Sequence, residues 1–176
     1  MTLAVLQDDF VYQFVYLVHI VGIVVGFGPT FVYPMYGSEA KRLQGAAGLA
    51  ISESSLKIGS RLQWAIYSVP LTGVLLVVLS DDVYAFDQSW ISIAFALYIV
   101  ALVISLGFHQ PNLRRMASLQ RELLAGSGAP GGGEGGGPPP QVAELENRGG
   151  KAAAYGGILH LLLAAILIDM VWKPGL

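Results

Sequence analysis

Four long apolar stretches constrain the fold of this 176-residue chain more than any other feature of its sequence. They cover residues 10–33, 62–79, 90–108 and 152–172, and the only charged residue within them is Asp169. Each is long enough to cross a hydrocarbon core about 30 Å thick, which requires roughly 20 apolar residues in a helix. The sequence therefore predicts an all-α membrane protein, a four-helix transmembrane bundle that lies in the lipid bilayer.

The composition excludes several other classes of protein. Charged residues make up 12% of the chain, against about 25% in an ordinary globular domain. Because the chain has no cysteine, it has no disulfide framework and no thiolate ligands for zinc or an iron–sulfur cluster. A net charge of -2 offers no basic surface for nucleic acid. The sequence also lacks the motifs of hydrolases and nucleotide triphosphatases, so it assigns no catalytic residue and leaves enzyme activity open.

The basic residues indicate an orientation in the membrane. Nine of the ten Lys and Arg residues fall in two segments, 34–61 and 109–151. Since the cytoplasmic loops of membrane proteins are enriched in Lys and Arg, we expect both segments on the cytoplasmic side. The connection 80–89 carries three aspartates and no basic residue, so it is expected outside together with both termini. This predicts a multi-pass protein of the cell (inner or plasma) membrane, N-out and C-out.

The cytoplasmic segments differ in composition. Residues 126–140 are dominated by Gly and Pro, cannot bury apolar area, and are predicted to form a disordered linker between the third and fourth spans. Residues 39–49 and 114–124 have apolar residues at near-helical spacing. Both are expected to pack as short helices at the membrane surface rather than to form binding sites.

Proline interrupts the second span. Pro70 has no backbone N–H, so the carbonyl of about Ile66 loses its helical donor. A carbonyl cannot stay unsatisfied in the bilayer without a large cost in free energy, and we expect Thr72 or a neighbouring helix to compensate.

His19 is the first candidate functional residue, because an ionisable side chain inside a bilayer is costly. It lies near the middle of the first span and shares a helix face with Gly22 and Gly26. A neutral imidazole is a common ligand for haem iron or a metal ion, and the glycines would let a flat macrocycle lie against the backbone. The alternative is that Gly22-x-x-x-Gly26 is a close-packing motif and that His19 hydrogen-bonds to another helix.

His160 repeats this arrangement in the fourth span, with Gly156 and Gly157 preceding it on the same face. Two such histidines on antiparallel helices are what a bis-histidine haem b in a four-helix bundle requires, so we take His19 and His160 as candidate haem or metal ligands and the four glycines as cofactor contacts. Their predicted depths differ by roughly 5 to 10 Å before helix tilt is considered. The two histidines therefore either share one site or serve different sites.

Two further ionisable residues lie at the span ends. His109 follows the third span directly and precedes Gln110 and Pro111, which places it at the cytoplasmic interface, where a special role is not expected. Asp169 lies near the outer end of the fourth span, where we expect it to be solvated or paired with Lys173.

Several short motifs together resemble a known group of membrane proteins. These motifs are residues 19–28, the Pro-Leu-Thr-Gly of 70–73, the third span that opens on Trp90 and closes on His109, and the ending 170–175. They are similar to an uncharacterised family of predicted four-helix integral membrane proteins, within the wider group that contains the CopD copper-resistance proteins and the HemJ-type protoporphyrinogen oxidases.

The resemblance implies that the first-span histidine ligates haem b, a role that falls on His19 here. The HemJ-type pattern has a lysine shortly after the third-span tryptophan, whereas this chain has Ala94 and Phe95 in that region. This departure argues against protoporphyrinogen oxidase activity.

Three functions are compatible with these patterns. The leading hypothesis is an integral membrane protein that binds haem b inside the bundle for electron transfer or redox chemistry with a membrane redox partner. The first alternative is a non-catalytic accessory or structural subunit of a membrane complex, or of a homo-oligomer, whose glycine faces pack against other helices. The second alternative is transport of copper or another small solute.

Overall fold

All regular secondary structure in the described part of the chain is helical. The computed structural model describes residues 9–126 and 139–175. Its α-helices are α1 (Phe10–Phe27), α2 (Tyr33–Leu43), α3 (Gly45–Val78), α4 (Ser89–Ile104), α5 (Gln110–Gly126) and α6 (Pro140–Trp172). A 3-10 turn, Gly28–Phe31, lies between α1 and α2, and a π-helical turn, Ser105–His109, joins α4 to α5. The predicted disordered linker falls between α5 and α6, and its residues 127–138 lie outside the described residues.

Four helical stretches are long and apolar enough to cross a membrane: Phe10–Leu43, Gly45–Val78, Ser89–Gly126 and Pro140–Trp172. Each contains the corresponding apolar stretch of the sequence to within a residue. The predicted all-α class with four membrane-spanning helices is therefore confirmed. The helical stretches run well beyond the predicted spans because the basic flanking segments are helical too.

The boundary between α2 and α3 divides the amphipathic helix predicted over residues 39–49. Gln44 and Gly45 both have left-handed backbone angles, with φ values of 51° and 49°. The chain then folds back so closely that a Cβ atom on Gly48 would overlap the carbonyl oxygen of Ala40. The prediction of one helix was wrong here because local periodicity does not register this close approach. The predicted helix over 114–124 does form, as part of α5.

Pro70 is accommodated as the sequence predicts. It lies inside α3, and the carbonyl oxygen of Ile66 accepts a hydrogen bond of 2.9 Å from the hydroxyl of Tyr98 on α4. A neighbouring helix therefore supplies the donor that proline removes. Thr72 instead donates to carbonyls of its own helix, at 3.0 Å from Ser68 O and 2.9 Å from Val69 O.

The chain divides into two compact units. The first unit comprises Met1–Val32, Ile58–Ile99 and Leu163–Leu176, and the second comprises Tyr33–Lys57 and Val100–Leu162. In the first unit, a buried cluster of Tyr84, Trp90 and Ile91 lies where the connection after α3 meets the start of α4.

The second unit carries eight of the ten basic residues of the chain. Glu144 of α6 pairs with Arg148 at 2.8 Å and with Arg115 of α5 at 3.3 Å. Asn112 of α5 donates a hydrogen bond of 2.9 Å to the carbonyl oxygen of Arg148. Side chains outside the apolar stretches thus fix α5 against the first turns of α6.

Candidate functional site

His19 lies on the single inward face of α1. Its side chain is only 8% exposed, and Gly22 and Gly26 are the other two buried residues of that helix. The rest of the helix surface is largely exposed, as expected of a helix whose remaining surface contacts lipid. The helix face predicted from the spacing of these three residues is therefore confirmed.

A hydrogen bond to α3 fixes the orientation of the His19 ring. Its Nδ1 atom lies 2.9 Å from the hydroxyl oxygen of Thr72. The Thr72 hydroxyl is within hydrogen-bonding distance of two carbonyl oxygens of α3. When it donates to one of them, its oxygen accepts from Nδ1–H, and the lone pair of the imidazole then lies on Nε2. This is the pattern of metal-ligating histidines, which donate one N–H to a nearby oxygen and ligate through the other nitrogen.

The glycine face beside His19 is filled by protein. A Cβ atom on Gly22 would lie 3.2 Å from the hydroxyl oxygen of Ser68, and one on Gly26 would lie 2.8 Å from Cγ1 and 2.9 Å from the backbone nitrogen of Ile66. Side chains larger than hydrogen would therefore force α1 and α3 apart. This close approach supports the close-packing alternative and leaves no room for a macrocycle between these glycines and α3, and cofactor contact by Gly22 and Gly26 stays a prediction. The nitrogen chemistry of His19 still fits a haem or metal ligand.

His160 has the same tautomer for a different reason. Its Nδ1 atom lies 2.9 Å from the carbonyl oxygen of Gly156 in the preceding turn of α6. A carbonyl oxygen only accepts, so Nδ1 carries the proton and Nε2 carries the lone pair. The two glycines that precede His160 differ from those beside His19. Outside the backbone of its own turn, no atom of the described residues lies within 4 Å of a Cβ position on Gly157, and at Gly156 the nearest such atom is 3.9 Å away.

That nearest atom belongs to His109, which the sequence analysis set aside. Cε1 of His109 lies 3.9 Å from the Cβ position of Gly156, and its ring lies edge-on to Tyr155 at a centroid distance of 6.4 Å. The imidazoles of His109 and His160 are close enough to interact electrostatically. Nδ1 of His109 is buried and has no hydrogen-bond partner in the described part of the chain. The structure therefore brings two histidines together at Gly156.

Sequence reasoning missed this pair because it ended the third span at residue 108. The helix continues through the π-helical turn into α5, and Pro111 follows directly after that turn inside the continuous helical stretch. A proline at that position therefore did not indicate a helix end. Treating 109–124 as a continuation of the span would have placed His109 on a helix, where it can face the next span.

The predicted ligands thus have separate surroundings. His19 lies in the first unit with Thr72, whereas His160 lies in the second unit with Gly156 and His109. No group of three or more His, Asp or Glu side chains suited to hold a metal ion occurs among residues 9–126 and 139–175. Whether His19 and His160 bind one cofactor stays a prediction.

Asp169 differs from its expected state. It is 7% exposed, and its Oδ2 atom is buried without a hydrogen-bond partner among the described residues. Lys173 is directed elsewhere, since its Nζ donates a hydrogen bond of 2.7 Å to the Tyr84 hydroxyl and lies 4.5 Å from the centre of that ring. The prediction of a solvated or Lys173-paired Asp169 was wrong, because the Asp169 side chain is buried and the Lys173 ammonium group contacts the hydroxyl and ring of Tyr84 instead.

The all-helical fold and its four apolar spans define an integral membrane protein. The sequence profile of a family described as a predicted integral membrane protein (DUF2269) matches residues 13–128. The match covers well over half of the chain, and the protein belongs to this family. No curated protein and no solved structure shows significant similarity to it. The predicted relationship to CopD and HemJ-type proteins stays a prediction.

Proposed function

We propose that this membrane protein binds haem b and takes part in electron transfer or redox chemistry, with His19 and His160 as ligands through Nε2. The observation that carries the proposal is the shared hydrogen bonding of the two histidines. In each, Nδ1 lies 2.9 Å from an oxygen of the protein, the arrangement in which Nε2 is the nitrogen that would ligate iron. A bound haem would supply a one-electron redox centre.

Different groups orient the two histidine rings, and the glycines beside them differ in the space they leave for a cofactor. Thr72 holds the His19 ring at one rotation angle, and the Gly156 carbonyl does the same for His160. Since Gly22 and Gly26 are occupied by α3, they serve helix packing rather than contact with a macrocycle. Gly156 and Gly157 leave space beside the backbone and are the better candidates for cofactor contacts.

The test is a reduced-minus-oxidised visible spectrum of protein expressed with adequate haem and purified in detergent. We expect a Soret band with sharp α and β bands, lost in His19→Ala and in His160→Ala. Leu17→Ala and Leu161→Ala are matched controls, because these residues are 58% and 72% exposed on α1 and α6. A colourless, well-folded wild type after haem supplementation would overturn the proposal. Loss of these bands in His19→Ala alone would identify His19 as the one histidine ligand of the two and would exclude His160.

We also infer the orientation of the protein, with the basic segments 34–61 and 109–151 on the cytoplasmic side. The excess of Lys and Arg in these segments supports it. Because the chain has no cysteine, single cysteines at exposed positions report orientation directly. Asp87→Cys should react with a membrane-impermeant maleimide on intact cells, and Ala143→Cys should react only after permeabilisation. The reverse labelling pattern would invert the topology.

A second candidate function is that of a non-catalytic accessory subunit. The packing at Gly22 and Gly26 favours it, because the His19–Thr72 hydrogen bond is then an interhelical contact sufficient in itself. Apolar side chains also cover much of the exposed surface of α1, including Phe10, Phe14 and Leu17. Under this hypothesis His19→Ala lowers stability modestly and removes no optical signal, so the same spectra separate the two functions.

A further inference from the structure

A shallow groove in the first unit contains an ionisable group that the proposed haem site does not use. It lies between α4 and the end of α6, and its volume of about 470 Å³ falls within the range of small-molecule sites. Its lining is almost wholly apolar: Ile93, Leu97, Ala165, Ile168, Trp172 and Pro174, with Asp169 as the one residue among them that has an ionisable side chain.

Asp169 gives the groove its chemical selectivity. The Oδ2 atom of Asp169 is buried with no partner among residues 9–126 and 139–175, and such burial favours the uncharged carboxyl group, because an isolated buried charge costs far more free energy. Lys173, the nearest basic residue in the sequence, is held by Tyr84 and does not neutralise it. An uncharged carboxyl donates one O–H, so the groove offers a single hydrogen-bond donor within an apolar wall.

These features exclude a hard cation as the ligand. Ca²⁺ and Mg²⁺ require about six or more oxygen ligands, whereas the groove presents one carboxyl group among side chains that carry no other oxygen. The complement of the groove is instead an apolar molecule with a carbonyl oxygen that accepts from Asp169. The exposed indole of Trp172 offers a flat surface on which a ring can stack.

We propose that the groove between α4 and α6 binds a membrane-soluble quinone, whose ring packs against Trp172 and whose carbonyl oxygen accepts a hydrogen bond from Asp169. The choice of a quinone rests on the proposed redox function, since an electron-transfer protein within the bilayer needs a lipid-soluble redox partner. Binding itself depends only on the groove and does not require the haem.

The test is quenching of tryptophan fluorescence by decylubiquinone in the Trp64→Phe protein in detergent micelles. Trp64 is 75% exposed and lies outside the groove, so this substitution removes an unrelated signal. We expect saturable quenching that is reduced when Trp172→Phe is added. Asp169→Leu should weaken binding by about threefold to tenfold through loss of the donor, and Asp169→Asn, which keeps an N–H donor, should weaken it less.

A second pair of variants keeps the proposal testable if Asp169 variants fail to fold. Ala165→Leu fills the groove and should weaken binding at least about tenfold, whereas Ala164→Leu adds the same side chain at an exposed neighbouring position that does not line the groove. Quenching that does not saturate, or equal affinity in these two variants, would overturn the proposal. So would quenching of Trp172 by a brominated phospholipid that decylubiquinone does not displace, because the occupant would then be a lipid.

The outcomes also separate the groove from the haem proposal. A colourless protein that still shows saturable, Ala165-dependent quenching would refute haem binding and leave the groove standing. A protein with a full haem spectrum and no saturable quenching would refute quinone binding in the groove and leave haem binding standing.

Discussion

The two units of this protein contain the same local sequence pattern, a histidine beside two glycines in an apolar helix, in opposite structural environments. In the first unit, Gly22 and Gly26 are so close to α3 that a methyl group would meet side-chain and backbone atoms. In the second unit, among the residues that the structure describes, a Cβ on Gly157 would meet no neighbouring atom and one on Gly156 would meet an imidazole at van der Waals distance. A glycine beside a histidine in the sequence therefore does not by itself distinguish close packing from open space. The residues packed against the glycine decide which of the two occurs.

The largest change in stability is expected at the packed glycines of the first unit. Gly26→Ala would place its Cβ 2.9 Å from the backbone nitrogen of Ile66, an atom that moves only with its helix. We expect a loss of about 1 to 3 kcal/mol in the free energy of unfolding, as for other overpacked sites. Gly157→Ala is the matched control and should change stability by less than about 0.5 kcal/mol. Thermal unfolding in detergent measures both.

Equal losses in the two variants would mean that both glycine pairs are packed against protein. Two unaffected variants would mean that α1 and α3 are farther apart than described. Only a large loss at Gly26 together with little change at Gly157 supports the contrast between the units.

For each of two contacts between helices, the sequence indicated one participating residue but not its partner. Spacing predicted which face of α1 carries His19, and the missing N–H of Pro70 predicted that Ile66 would need an outside donor. Neither pattern identified Thr72 as the partner of His19 or Tyr98 as the donor to Ile66, because which residues of two helices meet depends on their packing rather than on the period of either sequence. The helical content was predictable, since apolar length alone determines it in a membrane. The approach of His109 to Gly156 beside His160 was not, because it depends on a helix continuing past Pro111.

The next largest effect is expected in the closely packed first unit, where Thr72 orients His19. Thr72→Val removes the oxygen that accepts from Nδ1–H while keeping the shape of the side chain. If His19 ligates haem, affinity for haem should fall by about 10- to 100-fold, the usual effect of losing a group that orients a metal-ligating histidine. Haem titration of the purified protein measures this. Thr72→Ser retains the hydroxyl and should bind haem as the wild type does. An unchanged haem affinity in Thr72→Val would show that the His19–Thr72 hydrogen bond does not contribute to haem binding.

The third prediction tests the open side at His109. Its Nδ1 atom is buried and unpartnered among the described residues, so His109→Leu should leave the free energy of unfolding unchanged or raise it by up to about 1 kcal/mol. Asn112→Leu, three residues later on α5, loses a hydrogen bond to the Arg148 carbonyl and should instead be destabilised. Thermal unfolding of both variants makes the comparison. A clear loss in His109→Leu, or a change in the visible spectrum, would mean that His109 binds a ligand.

The smallest expected effect lies in the charged part of the second unit and depends on pH. Hydrogen bonds from Arg148 and Arg115 hold the pKa of Glu144 below the usual range of a glutamate. A carboxyl group whose folded-state pKa is lowered contributes stability above its unfolded-state pKa, and this contribution is lost as the pH falls through the folded-state pKa. Glu144→Gln should therefore lower the unfolding temperature at pH 7, by only about 1 to 3 °C because exposed ion pairs are weak. The gap to the wild type should close on acidification. Glu146→Gln, two residues away and exposed, is the control. A gap that persists at acidic pH would assign the effect to packing of the α5–α6 contact rather than to charge.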